Sequence, residues 1–245
     1  MGLSFFFKKK KLRLFEGFID IHNHILPGID DGSKSMNQSL DMLNIYSDLG
    51  VQKLITTPHI YKDLYPNTKQ SIETAYTLLH EASKNQSVDI ISYAAEYMVD
   101  EFFINEINSE TPLLTCFNEH VLIEIPFLGD LKRLNEAIFV LLNKGYLPIL
   151  AHPERYTALH TIKDVQDLKF KGVQMQLNAL SLTGFYGSEI QKKSFLWLQK
   201  GLYNFIGTDA HNSYQLNKLN EINLSKKEYN AWNQICEKQV MLISN

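Results

Sequence analysis

The chain has almost no cysteine. Cys116 and Cys236 are the only two in 245 residues, too few for a disulfide framework, so a reducing cytoplasm is the expected setting. Charge is also nearly balanced: the formal net charge of -3 lacks the basic excess of a general nucleic-acid binder, and no nucleic-acid partner is expected. No apolar run reaches transmembrane length and no signal-peptide pattern is found, which points away from a membrane span. No internal repeat or low-complexity linker divides the sequence, and its length suits one larger domain. Arginine is scarce, with only Arg13, Arg133 and Arg155, so an arginine inside a candidate site carries weight.

The start of the chain stands apart. Phe5-Phe6-Phe7 precedes four lysines and then Leu12-Arg13-Leu14-Phe15. Residues 1–16 read as a flexible basic tail, and the alternative for residues 5–15 is weak contact with an anionic membrane surface. Residues 17–245 read as a single metal-dependent catalytic domain.

Within that domain, Phe18-Ile19-Asp20-Ile21 reads as a buried strand that runs into His22-Asn23-His24. A period of two then places Asp20, His22 and His24 on one side, three ligand types aimed at one point. One histidine packed in a core and one solvated is the structural alternative. The Pro/Gly-punctuated loop that follows carries Asp30 and Asp31. Asp31 is the candidate to return a carboxylate to the same place, against a turn that uses Asp only for local hydrogen bonds.

Further strands are expected over 52–57, 89–95, 121–126, 147–151, 173–177 and 203–206, alternating with helices over 35–49, 71–83, 101–107, 131–142, 163–170, 190–200 and 226–242. Seven β/α units in alternation imply an α/β fold with a parallel sheet, and closure gives a (β/α)7 TIM-like barrel. Sites in such barrels form at the C-terminal strand ends. His22, His24, His59, Glu96, Glu124, His152, Asp209 and His211 all fall at or near those ends. Glu124 interrupts an apolar run, where an unpaired acid is costly. His80 lies within a helix, His120 precedes a strand and His160 follows a turn, so these three are set aside.

Five histidines and up to four carboxylates, without a thiolate, suit Mn²⁺, Fe²⁺ or Zn²⁺. One ion takes about four protein ligands, so the inventory implies two or three ions. Such a cluster brings bound water toward a pKa of about 7 and holds both oxygens of an in-line displacement, which makes hydrolysis the default chemistry. Arg155 stands three residues beyond His152 and offers a planar fork for a phosphate, against a salt bridge at the barrel rim. Metals and arginine together favour phosphate-ester hydrolysis.

Asp20-Ile21-His22-Asn23-His24, Asp30-Asp31-Gly32, Thr57-Pro58-His59, Ala95-Glu96, Ile123-Glu124, His152-Pro153-Glu154-Arg155 and Asp209-Ala210-His211-Asn212 resemble, in order, the motifs of the PHP (polymerase and histidinol phosphatase) superfamily. More narrowly, they resemble bacterial manganese-dependent protein-tyrosine phosphatases of capsule and exopolysaccharide loci. The resemblance implies a distorted barrel with three metals: one on His22, His24, Glu96 and Asp209, one on Glu96, Glu124 and His152, and one on Asp31, His59 and His211. Mn²⁺ is the implied metal, Arg155 the implied phosphate grip, and Asp209 and His211 stand in the implied catalytic centre, where a metal-activated hydroxide attacks. Asp20 then becomes a residue that orients the ligands. The implied substrate is phosphotyrosine in the tail of a membrane-bound bacterial tyrosine kinase that controls polysaccharide export.

The resemblance has one gap. Close members often carry a second arginine five residues past the last histidine, where this chain has Leu216, and Lys218 nearby offers charge without a fork. The thiolate route is not available, since the residues six positions past Cys116 and Cys236 are Leu122 and Leu242 and not arginine. A phenol leaving group, with a pKa of about 10, departs with little acid assistance. Two rivals remain: a small-molecule phosphatase of histidinol-phosphate or nucleotide type on the same metals, and a non-catalytic module that docks on the kinase.

Overall fold

The computed structural model describes residues 14–126, 129 and 131–244. Residues 1–13 of the expected tail, and with them residues 5–13 of the alternative membrane contact, lie outside them. Residues 14–16 do not behave as a tail: Phe15 is buried, edge-on to Phe18 and Trp232 at 5.5 and 5.3 Å, and the Trp232 indole donates to the Leu14 carbonyl at 2.9 Å. The folded unit therefore includes Leu14, and Phe15 is not available to a membrane surface.

Among the described residues, nine parallel strands are interleaved with helices: β1 (Ile19–Asp20), α1 (Met36–Leu49), β2 (Lys53–Thr56), β3 (His59–Ile60), α2 (Lys69–Ala82), β4 (Asp89–Tyr93), β5 (Glu96–Met98), α3 (Glu101–Asn108), β6 (His120–Glu124), α4 (Leu131–Asn143), β7 (Leu147–Ala151), α5 (Ile162–Phe170), β8 (Gln174–Asn178), α6 (Ser188–Gln199), β9 (Phe205–Gly207), α7 (Ser213–Lys218) and α8 (Lys226–Ser244). The ladders join β1-β2-β4 in one sheet and β3-β5-β6-β7-β8-β9 in another. The chain runs from β2 into β3 and from β4 into β5, so these pairs are single staves broken at Thr57-Pro58 and Ala94-Ala95, and the wall has seven staves. The breaks are where the strands expected over 52–57 and 89–95 turn toward the site.

The wall closes between the first and last staves, but not by a regular ladder. Asn23 bridges Ala210, and the amides of Asp209 and His24 donate to the carbonyls of His22 and Ala210 at 2.8 and 3.0 Å. Lower down, α8 inserts the buried Gln239, which accepts from the Ile206 amide at 2.9 Å and donates to the carbonyls of Ile19 and Ile206 at 2.7 and 2.9 Å. A side chain thus completes backbone groups that would otherwise be buried without partners.

Inside the wall sit Ile21, Ile55, Ala94, Cys116, Leu122, Ile149, Ala151 and Phe205, while their strand neighbours Leu54, Ile90, Val121, Ile123, Leu150, Met175 and Ile206 pack outward in the main core. Both faces are covered, as all-parallel sheets require. The helices are held by local chemistry. Ser35 caps α1, Gly50 ends it in the left-handed region, and Thr161 with Asp164 forms a capping box on α5.

Candidate metal centre

The regular part of β1 ends at Asp20, and the expected shared face does not hold: Ile21 points inside while Asp20 points toward α1. The Asp20 carboxylate accepts from the amides of His22 and Thr208 at 3.2 and 3.0 Å, the Thr208 hydroxyl at 2.6 Å and the Tyr46 hydroxyl at 3.0 Å. It orients the backbone from which His22 projects and stays out of the cluster.

His22 and His24 reach the centre because the chain leaves strand geometry there. His22 lies so close to the end of β9 that a Cβ on Gly207 would come within 2.6 Å of its own Cβ. His24 is backed by Gly32, where a Cβ would sit 2.0 Å from the His24 carbonyl oxygen. Neither glycine can be replaced without moving a ligand candidate.

The two imidazoles meet Glu96 and Asp209. His22 Nε2 lies 3.2 Å from Glu96 Oε2 and 3.3 Å from Asp209 Oδ1, and His24 Nε2 lies 3.5 and 3.3 Å from the same atoms and 3.3 Å from His22 Nε2. Four donors about 2.1 Å from one ion form a tetrahedron with edges of about 3.4 Å. Glu96 Oε2 and Asp209 Oδ1 are buried without a hydrogen bond, which is expensive for carboxylate oxygens unless a cation faces them.

Two further groups adjoin this one. His152 Nε2 is 3.1 Å from Glu96 Oε1 and 3.9 Å from Glu124 Oε2, while His59 Nδ1 is 3.0 Å from Glu124 Oε1 and 3.2 Å from Glu96 Oε2. On the outer side, Asp31 Oδ1 is 3.3 Å from His59 Nε2 and 3.4 Å from His211 Nε2. The nine expected residues fall into three overlapping sets: His24, Asp31, His59 and His211; His22, Glu96, His152 and Asp209; and His59, Glu96 and Glu124. Glu96 and His59 each face two sets, and His24 and His152 also fall with other partners than the resemblance implies, His24 with Asp31, His59 and His211 and His152 with His22 and Asp209.

Histidine tautomers are set from behind. His22 Nδ1 faces the Gln176 amide oxygen, His24 Nδ1 the Asp30 carboxylate and His211 Nδ1 the Asp209 carbonyl, each at 2.9 Å. Each contact favours a proton on Nδ1 and leaves Nε2 as the donor toward the centre. Asp30 also accepts from the Gly32 and His59 amides at 2.9 and 3.1 Å. Of the two adjacent acids, Asp31 faces the cluster and Asp30 supports it.

The electrostatics follow from this packing. Burial opposes charge on Glu96 and Asp209, yet the surrounding histidines hold both carboxyls well below their usual range. Burial and His24 oppose charge on His59, but hydrogen bonds to Asp31 and Glu124 and the charge of Glu96 lift it to about 10. His152 and Asp209 both occupy the left-handed region, with φ of 34° and 50°. Such strain in non-glycine residues persists only where the surroundings enforce it.

Arg155 does reach the cluster. Its Nη1 donates to Asp209 Oδ2 at 2.7 Å, and its guanidinium lies 4.3 Å from the Tyr186 ring centre. Asn178 Nδ2 donates to the same Asp209 oxygen at 2.8 Å. Asp209 thus turns one oxygen to the histidines and the other to an arginine and an amide. Glu154 looks away, accepting from the Asn178 amide, the Ser181 hydroxyl and the Tyr203 hydroxyl at 3.0, 2.7 and 3.2 Å. Leu216 is fully buried, and Lys218 is paired with Glu221 at 2.9 Å.

Asp30, Gln176, Asn178 and Tyr186 were not singled out by the sequence. Gln176 carried a usable signal, a polar residue between the outward-facing Met175 and Leu177. Burial pushes both thiols up to about 12, and neither belongs to the cluster. The histidines set aside stay apart: His80 stacks on Tyr76 at 5.4 Å, the His160 amide caps against Asp164, and His120 opens β6 at the opposite end. No described helix is long and apolar enough to cross a membrane.

Known proteins resemble this chain in sequence and fold. A family model described as capsular polysaccharide synthesis, CpsB/CapC, matches residues 18–230. Tyrosine-protein phosphatase CpsB of Streptococcus pneumoniae is 30% identical over 203 residues, 79% of this chain and 83% of its own. Tyrosine-protein phosphatase YwqE of Bacillus subtilis (strain 168) is 29% identical over 197 residues, 79% of this chain and 77% of its own. A chain from the crystal structures of YwqE and CpsB, described as unique metal-dependent tyrosine phosphatases, superposes with a TM-score of 0.77 at 25% identity and covers 92% of this chain and 93% of that one. The matched span contains every residue of the cluster, from His22 to His211, and the chain belongs to the capsular polysaccharide synthesis CpsB/CapC family.

Proposed function

We propose that this protein is a metal-dependent protein-tyrosine phosphatase that removes phosphate from a bacterial tyrosine kinase of polysaccharide export in the cytoplasm. The observation that carries the reading is the buried set of His22, His24, Glu96 and Asp209, with edges of 3.2–3.5 Å around two carboxylate oxygens that lack hydrogen bonds. The names of the relatives and the family's capsule locus support the substrate and the setting.

The donor set of nitrogen and oxygen fits Mn²⁺, with Fe²⁺ and Zn²⁺ as alternatives. His22, His24, Glu96 and Asp209 would hold one ion, Glu96, Glu124 and His152 a second, and Asp31, His59 and His211 a third. When bound, the ions supply Lewis acidity and a nucleophile derived from water at neutral pH. The chain's own residues do the rest. Gln176, Asp30 and the Asp209 carbonyl hold three imidazoles in register. Arg155 stands at the edge of the cluster beside Asp209, where its guanidinium would orient a phosphate. Residues 14–245 would act as one catalytic domain.

Purified protein with added Mn²⁺ should hydrolyse a phosphotyrosine peptide in clear preference to histidinol phosphate, and His152→Ala should abolish turnover. Preference for histidinol phosphate would defeat the substrate assignment. Full activity in His152→Ala would defeat the site, and an inactive wild type that binds the kinase tightly would favour a docking module.

A further inference from the structure

A row of three aromatic side chains, two from the loop after β8 and one from the start of α7, begins at Arg155. The Tyr186 ring lies 4.3 Å from the Arg155 guanidinium, Phe185 meets Tyr186 edge-on at 5.0 Å, and Tyr214 follows Phe185 at 6.2 Å. Tyr186 is the anchor, since its hydroxyl accepts from Asn178 at 3.2 Å. The other two rings are open, with Phe185 39% and Tyr214 61% exposed. Gly184 and Gly187, at φ 81° and 97°, bracket the first two rings and make the turn that presents them.

Exposed rings in a contiguous row at the edge of a charged cluster call for a ligand. The row begins at the ion pair of Asp209 and Arg155 and leads outward, so a phosphate held at Arg155 would direct its ester group along it. Lys218, 5.7 Å from the Tyr214 ring, is already paired with Glu221, so the outer end offers apolar area more than charge. Aromatic rings pair best edge-on or offset at these separations.

We infer that Phe185, Tyr186 and Tyr214 form an aromatic rim that receives the phenyl ring of the substrate and the peptide beside it, and so set preference for phosphotyrosine over alkyl phosphates. This rests on the function proposed above. The rim residues are specificity determinants and take no part in bond cleavage.

The test compares kcat/KM for a synthetic phosphotyrosine peptide and for histidinol phosphate, both with Mn²⁺, in wild type, Phe185→Ala, Tyr214→Ala and the double variant. Both side chains are exposed enough for alanine to leave no core cavity, and a thermal melt checks the fold. In the double variant the peptide-to-histidinol-phosphate ratio should fall about 5- to 10-fold, carried by the peptide KM with kcat nearly constant. Phe185→Leu, which restores bulk without a ring, should recover only part of the ratio. Phe170→Ala, at a 94% exposed position on α5, is the surface control and should change nothing. A wild type that prefers the peptide while the double variant keeps the ratio overturns the rim alone. A wild type without that preference overturns the parent reading and the rim with it.

Discussion

Two ends of one barrel bury the same side chain and treat it in opposite ways. On β6 the inward positions His120, Leu122 and Glu124 stack as lower, middle and upper layers. At the lower end His120 is 5% exposed, its ring 4.3 Å from Phe117 and 5.8 Å from Phe205, with Nδ1 donating to the Phe117 carbonyl at 3.2 Å. Burial lowers its pKa, and the bond to the Phe117 carbonyl, the charge of Glu119 and the Gln174 amide do not reverse this. At the upper end His59 is also shielded from water, yet it is lifted to about 10 because Asp31, Glu124 and Glu96 face it. The apolar layer of Ile21, Ile55, Leu122, Ile149 and Phe205 separates the two. Burial alone makes a neutral histidine; the gathering of carboxylates at one end makes a cation site.

Breaking the upper end should have the largest effect. Glu96→Gln removes the carboxylate that faces His22, His24, His59 and His152, and the loss of several kcal/mol of charge stabilisation should reduce kcat/KM by roughly 10³. Metal content measured on the same sample should drop by at least one ion per chain; full occupancy with normal turnover would remove Glu96 from the site. The supports come next. Asp30→Asn and Gln176→Leu leave every ligand candidate in place but release His24 or His22, and each should weaken Mn²⁺ affinity or turnover by about 10- to 100-fold. An effect of Asp30→Asn confined to thermal stability would make Asp30 a loop residue and nothing more.

The upper end was also the more legible one. Strand ends that each carry a histidine or acid can be read along the chain, and the parallel alternation says that those ends converge. What the sequence hid was side-chain direction after a strand stops. A period of two put Asp20 with His22 and His24, but β1 ends at Asp20 and the following residues bend, so Asp20 went outward to Tyr46 and Thr208. The supports Gln176 and Asn178 come from a strand remote in sequence, and only the closed wall brings them behind His22 and Asp209. The seam filled by Gln239 was invisible for the same reason, because a helix residue does the work of a strand.

Acid–base linkage sharpens the contrast without any substitution. In the metal-free protein His59 holds its proton more tightly than its ordinary value of 6.5, so this stabilisation is full below pH 6.5 and fades as pH rises toward 10. Glu96 and Asp209, held below their ordinary values of 4.5 and 3.8, stabilise above those values and lose that contribution in acid. Chelated protein should therefore melt highest between about pH 4.5 and 6.5 and lose melting temperature toward pH 9. Mn²⁺ competes with the same protons, so the gain in melting temperature on adding it should grow with pH. A chelated protein whose stability climbs steadily from pH 5 to 9 would show that the upper histidines are not held protonated by the acids.

The smallest effect is expected at the lower end, and its sign is the reverse. His120→Phe keeps the ring contacts and removes the bonds to the Phe117 carbonyl and from the Gln174 amide, at a cost of about 2 kcal/mol, and should change turnover by less than about twofold because the apolar layer isolates it from the cluster. Since the fold depresses the His120 pKa below 6.5, its neutral form stabilises above pH 6.5 and that stabilisation is lost as pH falls, when the unfolded chain binds a proton that the fold resists. The phenylalanine variant has no such proton to take up. The stability gap between wild type and variant should narrow from pH 7.5 to pH 5.5, opposite to the trend at His59, and a gap that widens in acid would mean that His120 is charged in the fold and has an acid partner of its own.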